Sequence, residues 1–283
     1  MTTHKQLIIY CGTIFLLSWL LQILAIATTG DINSVQARPW LVATMLVPTL
    51  VTIYFLVKNK SLRGYLLWKP NAKIIQVCLV AVLVPTITAF LILIIVQQFG
   101  YGKSNWFSFT STWVDISGGP FLLGLGKQNW LKFIFNILIA GIVYSIISGI
   151  VAAGEEFAWR GFFQQTLTEK FGKLKGIALL GFIWSMWHLP VQLAGYNFQG
   201  NEIIGSFVLS PLQMIAVSFF FGWLTLSTRS FIPAAIAHGA VNSIQEGIIS
   251  NIQLEVPMIY EHWIRTAVIV FIGLLFFVLL RKK

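Results

Sequence analysis

The sequence of 283 residues is 57% hydrophobic and only 10% charged. Soluble globular domains contain about 25% charged residues, so this composition excludes an ordinary soluble protein and predicts a polytopic membrane protein. A net charge of +10 would suit a nucleic-acid binder, but the basic residues are concentrated in short loops and at the C-terminus, as the positive-inside rule requires. We therefore expect the lipid bilayer, and no nucleic acid, as a partner.

Eight apolar runs approach the length of about 20 residues that a membrane-spanning helix requires. We predict an all-α bundle of about eight spans with an intramembrane polar cavity, in a single integral membrane domain covering residues 1–283. The fifth run is short and the seventh contains polar residues, which indicates that both face protein. The predicted spans are 7–28, 40–57, 74–98, 130–153, 176–190, 207–228, 231–250 and 263–280.

The charges of the loops predict the orientation of the spans in the membrane. The first apolar run follows Lys5 and resembles a signal peptide, but the run 7–27 exceeds the usual core of 7–15 residues, so we expect a retained span. Basic residues are frequent in loop 58–73 and end the chain at 281–283, whereas 191–206 has none. The alternation predicts both termini in the cytoplasm, and the short loops favour a bacterial plasma membrane.

Two adjacent acidic residues, Glu155 and Glu156, follow the apolar run 130–153. A charge in a membrane helix costs roughly 2.5–3.5 kcal/mol on insertion scales, so these groups need partners. Arg160 lies on the same helix face as Glu156, whereas Glu155 is turned about 100° away. The pattern predicts that Arg160 neutralises Glu156 and leaves Glu155 free, although a purely structural ion pair at a helix end would look the same. The amphipathic stretch 161–173 predicts a helix lying at the membrane surface.

Polar residues also interrupt two late apolar runs. His188 ends the fifth run before Pro190, while His238 and Asn242 lie on one face of the seventh, which Glu246 continues. Each has a structural explanation, since His188 can donate to a backbone carbonyl and the other pair can form an interhelical hydrogen-bond seam. Together with the two glutamates, these residues suffice to bind a divalent metal or to activate water and stabilise an oxyanion.

Taken in order, these residues resemble the three motifs of the CAAX protease and bacteriocin-processing family of intramembrane proteases, written EExxxR, FxxxH and HxxxN. The resemblance covers residues 130–250, the expected catalytic core. Position 184 is Trp where the second motif has Phe, which we take as a matter of packing. The residues that carry the motifs are Glu155, Glu156, Arg160, His188, His238 and Asn242.

The resemblance implies an intramembrane endopeptidase acting on a membrane-bound peptide or protein. Members trim prenylated CAAX proteins or are associated with bacteriocin immunity, peptide signals or sensor kinases. The resemblance also implies a glutamate-activated water that needs no cofactor or, under the family's older metalloprotease label, a zinc ion with Glu155, His188 and His238 as ligands. By their chemistry, Glu155 is the candidate base, His188 holds the water or protonates the leaving amine, and His238 and Asn242 stabilise the oxyanion.

Two other classes of function stay open from the sequence. A non-catalytic scaffold, immunity protein or sensor-kinase partner could use the same fold. A proton-coupled transporter also uses buried Glu and His, but the paired broken segments typical of transporters are absent from the sequence.

The predicted depths of His188 and Glu155 in the membrane differ, although a shared site requires them to be similar. If the fifth span enters from the cytoplasm near Gly176, His188 lies roughly 18 Å deeper at 1.5 Å per residue. Glu155, by contrast, is expected near the cytoplasmic end of its own span.

Overall fold

The computed structural model describes residues 4–282, and these form a bundle of helices with a small β region at one end. Every predicted span coincides with helical structure. The long apolar segments fold as helices because each one satisfies its backbone hydrogen bonds internally, as a bilayer requires. The helices of the bundle are α1 His4–Thr29, α2 Arg38–Lys58, α3 Ile74–Gln98, α4 Trp130–Glu156, α5 Gln164–Phe171, α6 Lys173–Trp187, α7 Leu189–Leu193, α8 Glu202–Ile204, α9 Ser210–Thr228, α10 Ile232–Ala240, α11 Glu246–Ser250 and α12 Ile259–Lys282.

Six helices in the described part of the chain are long and apolar enough to cross a membrane. This confirms an all-α polytopic membrane protein, but not the predicted count of eight spans. Helix α6 has 15 residues, or about 22 Å at 1.5 Å per residue, against a hydrocarbon core of about 30 Å. The α10–α11 region is interrupted by a polar π-helical segment, Val241–Gln245. These two elements are the ones expected to face protein, and they lead to or carry the two motif histidines.

Helix α4 does not end at the glutamate pair, which corrects the expected helix end. A π-helical segment, Phe157–Phe163, joins α4 to α5, so the helical stretch runs over 42 residues from Trp130 to Phe171. Glu155 therefore lies about 24 Å before the end of this stretch, at 1.5 Å per residue. Glu155 and His188 therefore both lie several helical turns from Gly172, where α5 is followed by α6.

The expected surface helix over 161–173 is also packed more closely than predicted. Helix α5 contacts α6, and a Cβ added at Gly176 would lie 2.7 Å from the carbonyl oxygen of Leu167. Leu167 and Gln164 are both buried. One side of the stretch 161–173 therefore packs against the rest of the bundle.

Small residues let α10 lie directly against α4. A Cβ added at Gly149 would come within 3.0 Å of the Ala235 carbonyl oxygen, and one at Gly239 would collide with the backbone of Ser145 and Gly149. Such close backbone approach is typical of packed membrane helices. It fixes the face of α10 that carries His238 beside the end of α4 that carries the glutamates.

The segment 99–129, which joins α3 to α4, forms most of the β region. Strand β1 (Gly102–Ser104) pairs antiparallel with β5 (Ile252–Leu254). Strands β2 (Phe107–Phe109), β3 (Trp113–Ile116) and β4 (Gly126–Asn129) form a second antiparallel sheet.

Backbone contacts at the opposite end of the bundle join other loops. The Leu67 N–H donates to Gly161 O at 2.7 Å, and the Phe231 N–H donates to Leu67 O at 3.0 Å. Loop 59–73, which is rich in basic residues, therefore lies at the end of the bundle away from β1 and β5. The orientation of these ends relative to a cytoplasm stays a prediction.

Candidate active site

A cavity of about 140 Å³ lies between α1, α2, α4, α6, α9, α10 and α12. We call it the central cavity. Glu155, His188, His238 and Asn242 all line it. Glu156 and Arg160 do not line it and are fully buried behind it. The structure thus brings four of the six motif residues to one space and places the other two next to them.

Glu156 connects Arg160 and His238 behind the central cavity and is called the hub below. Its Oε1 accepts hydrogen bonds from Arg160 Nη1 at 3.0 Å and from His238 Nδ1 at 2.9 Å. Because a carboxylate only accepts, the His238 bond assigns the proton to Nδ1. His238 is thereby oriented by Glu156, and its other ring nitrogen is available to the cavity. The hydrogen bond between His238 and Glu156 was not predicted from the sequence.

Arg160 is held between aromatic rings as well as by Glu156. Its guanidinium carbon lies 4.1 Å from the ring centroid of Trp184 and 4.9 Å from that of Phe221. Its Nη2 donates to Ser218 Oγ at 3.1 Å. Desolvated cation–π contacts of this kind are worth about 2 kcal/mol, so Arg160 fixes α9 and α6 around the hub.

Glu155 has a different partner. The Trp184 indole Nε1–H donates to Glu155 Oε2 at 2.8 Å, and Glu155 is only 2% exposed. Trp184 occupies the aromatic position of the second motif, where Phe would have no N–H to donate. The exchange of Phe for Trp therefore changes the hydrogen bonding of the site, which the sequence analysis treated as a matter of packing.

His188 follows the last residue of α6. Its Nδ1 lies 2.9 Å from the carbonyl oxygen of Trp184, which is the backbone bond considered from the sequence. The ring packs edge-on against Trp187, with centroids 4.6 Å apart. Since Nδ1 donates to a carbonyl, Nε2 is the nitrogen left for chemistry. The backbone bond and a role in the cavity are thus compatible.

Tyr196 is a cavity residue that the sequence analysis missed. It lies in the loop after α7 and lines the central cavity. Burial, with smaller contributions from Glu246 and Glu155, raises the pKa of Tyr196 to about 12. Its hydroxyl therefore stays protonated at neutral pH and is available as a donor. No spacing or motif in the sequence marks this loop position.

The donor set for a metal was tested on the candidate ligands Glu155, His188 and His238. Within residues 4–282, no group of three or more His, Cys, Asp and Glu side chains is arranged to hold a metal ion. The three candidate ligands are therefore not grouped as a metal centre in the described structure.

Fold and site together define an integral membrane helix bundle with a glutamate–histidine cluster at its central cavity. Residues 126–244 match the family model described as "Type II CAAX prenyl endopeptidase Rce1-like". This segment contains all six motif residues, so the resemblance seen in the sequence is confirmed for the part of the chain that carries the site. A curated relative, CAAX prenyl protease 2 of Methanococcus maripaludis, is 30% identical over 101 residues. That alignment spans 34% of this chain and 37% of the relative.

Proposed function

We propose that the protein is an intramembrane endopeptidase in which Glu155 activates a water molecule. One observation carries the proposal: of two adjacent buried glutamates, only Glu155 lines the central cavity, whereas Glu156 is engaged by Arg160 and His238. Two carboxylates with different surroundings can take different tasks. The family match supports a peptidase.

In the proposed reaction, Glu155 takes a proton from water as the oxygen attacks the carbonyl carbon of a peptide bond. The carbonyl π electrons move to oxygen and form a tetrahedral oxyanion. When the C–N bond breaks, the electron pair leaves with nitrogen, which receives a proton from Glu155 or through His188. The products are a carboxylic acid and an amine, so no oxidant, cofactor or further reactant is needed.

The remaining motif residues have supporting tasks in this proposal. Asn242 stabilises the oxyanion through its side-chain N–H, for which one donor contributes about 2.7–4 kcal/mol. His238 does so through Nε2–H when the ring is doubly protonated, with Nδ1–H still bonded to Glu156. Glu156 orients His238, and Arg160 balances the charge of Glu156. Asn242 lies in the π-helical segment Val241–Gln245, and such segments are frequent at functional sites.

The proposed substrate is a membrane-bound peptide or protein. Four of the motif residues share the central cavity with apolar side chains, among them Met45, Val217 and Ile269, and these suit an apolar substrate segment. The relative's name refers to a CAAX prenyl protease; whether this chain cleaves prenylated substrates is part of the test. We further propose a catalytic core over residues 130–250 and both termini on the cytoplasmic side.

The test compares wild-type protein with Glu155→Ala in nanodiscs and in cells. Membrane peptides that accumulate or disappear in the variant's cells identify substrates, which are then cleaved by purified protein. Cleavage that depends on Glu155 supports the proposal. A variant that keeps every cellular phenotype indicates a scaffold, and loss of wild-type activity to a chelator with recovery in zinc replaces the metal-free mechanism.

A further inference from the structure

A second ionic cluster, buried except for Glu246, lies outside the segment that matches the family. On α12, the Arg265 Nε donates to Glu261 Oε1 at 2.8 Å, and Arg265 Nη1 donates to Glu246 of α11 at 3.2 Å. His262 Nδ1 lies 3.0 Å from Glu261 Oε2. Burying ionisable side chains in a membrane protein costs free energy, and such side chains are therefore functional candidates.

This cluster lines a pocket of about 250 Å³, the outer pocket, at the end of the bundle where β5 lies. The outer pocket also contains the amide side chains of Asn33 and Gln199. Asn197, Glu246 and Arg265 line both this pocket and the central cavity. The two spaces are therefore neighbours separated by the Glu246–Arg265 ion pair.

His262 presents an unused acceptor in this pocket. Because Glu261 can only accept, the His262 proton lies on Nδ1 and Nε2 carries a lone pair. Nε2 is buried and has no hydrogen-bond partner among the residues that the structure describes. Burying a lone pair without a partner costs less than burying an unpartnered N–H of an imidazolium. The geometry therefore favours His262 Nε2 as an acceptor that a ligand N–H can use.

The charges of the cluster favour a cation. Two carboxylates, Glu246 and Glu261, face one guanidinium, which leaves one negative charge in excess with His262 neutral. The Glu246 side chain is 35% exposed, whereas those of Glu261 and Arg265 are 5% and 10% exposed. Glu246 is therefore the carboxylate that an incoming group can reach.

We propose that the outer pocket binds a basic side chain, lysine or arginine, of the peptide substrate. Glu246 forms the ion pair with that side chain, and His262 Nε2 accepts one of its N–H groups. This inference rests on the proposed peptidase function and adds a determinant of substrate choice to it.

The spacing sets where the basic residue lies. Glu246 follows His238 by eight residues along α10, the π segment and α11, or about 12 Å at 1.5 Å per residue. An extended peptide advances about 3.3 Å per residue. The basic side chain therefore belongs three to four residues from the bond that is cleaved.

Binding and cleavage of capped peptides test the proposal on full-length protein in nanodiscs of uncharged lipid. The peptides are rich in alanine and leucine and carry one Lys, Gln or Glu at successive positions. Wild-type protein is expected to bind the Lys peptide about tenfold tighter than the Gln peptide, the size of one charge-assisted hydrogen bond. Cleaved peptides should show the same preference at the stated distance from the scissile bond.

Glu246→Gln is expected to reduce the Lys preference to about twofold or less, and His262→Phe to weaken it while preserving the shape of the ring. Glu255→Gln is the matched control, because Glu255 is an exposed residue at the same end that does not line the outer pocket. Loss of the preference in the control as well would show a surface-charge effect and overturn the proposal.

Equal binding of Lys and Gln peptides by wild-type protein, or tightest binding of the Glu peptide, would also overturn it. The two proposals fail differently. A Lys preference in binding that depends on Glu246, with no cleavage of any peptide, supports the pocket and removes the peptidase function. Cleavage without a Lys preference supports the peptidase function and overturns the proposed pocket.

Discussion

Two ionic clusters of the described structure share one composition but differ in how the arginine is paired. The first consists of Glu155, Glu156, Arg160 and His238, and the second of Glu246, Glu261, His262 and Arg265. Each contains two glutamates, one histidine and one arginine, with Arg160 and Arg265 each bonded to a glutamate one helical turn before it. In the first cluster Glu156 is the one glutamate bonded to the arginine in the described structure, and Glu155 lines the central cavity. In the second, Arg265 bonds to both glutamates.

This difference indicates what each cluster can do. A glutamate that lines a cavity and bonds to a neutral indole is available to exchange a proton with water. A glutamate paired with a guanidinium is held in its charged form and suits binding. The same residue types can therefore form a catalytic group or a recognition group, according to whether the arginine leaves one carboxylate unpaired or pairs with both.

The largest expected effect is on turnover by Glu155→Gln. The substitution keeps the size of the side chain and its bond from Trp184 but removes the proposed base. Turnover should fall by about 10²- to 10⁴-fold, the range of general-base catalysis, with the melting temperature little changed. Peptide cleavage and thermal unfolding in nanodiscs measure both. Normal turnover in this variant would remove Glu155 from the proposed mechanism.

The next effect is on stability, by Glu156→Gln. Arg160 would lose the only carboxylate to which it is bonded in the described structure, while remaining fully buried. An uncompensated buried charge costs about 3–5 kcal/mol, so we expect a lower melting temperature and lower yield, with loss of activity as a consequence. A stable but inactive Glu156→Gln protein, beside an active Glu155→Gln protein, would exchange the two roles.

Glu261→Gln in the second cluster should have a smaller effect on stability. Arg265 keeps Glu246 as a charged partner, and the new amide oxygen can still accept from its Nε. The amide nitrogen replaces Oε2, which accepts from His262 Nδ1, so the expected loss is about 1.5–3 kcal/mol, the value of a hydrogen bond to a charged group. The melting temperatures of Glu156→Gln and Glu261→Gln, compared in one lipid, decide whether a second carboxylate protects the arginine. Equal losses would contradict the comparison.

Much of the fold could be predicted from apolar run lengths. The predicted run 74–98 coincides with α3, because nothing but length and hydropathy sets its ends. The end of α4 could not be predicted, because Glu155 and Glu156 look like the edge of a span while the π segment continues the helix through Arg160. The β pairing of 102–104 with 252–254 was also missed, since it joins distant segments through backbone bonds alone.

The candidate site was predictable where residues share a helix turn and not where they meet across helices. The Glu156–Arg160 pair follows from a spacing of four and is present at 3.0 Å. The bonds from His238 and Trp184 to the glutamates join different helices, so no spacing reports them. Likewise Glu246 could be placed on the face of His238, but its pairing with Arg265 depends on how α11 packs beside α12.

The smallest expected effect tests how Glu155 is positioned. Trp184→Phe restores the family's aromatic residue and removes the indole N–H that donates to Glu155. We expect turnover to fall about tenfold, roughly 1.4 kcal/mol, with KM unchanged, because the base loses its fixed orientation while the substrate cavity keeps its aromatic wall.

Trp187→Phe is the matched control for this variant. Trp187 also lines the central cavity from α6, but its Nε1 has no hydrogen-bond partner within residues 4–282. Its replacement should therefore leave turnover within about twofold, since no hydrogen bond is removed. The pH–rate profile separates positioning from packing: the limb that reports Glu155 should shift in Trp184→Phe and stay in place in Trp187→Phe. If both variants lose turnover equally with unshifted profiles, Trp184 contributes aromatic packing, and the indole hydrogen bond does not position the base.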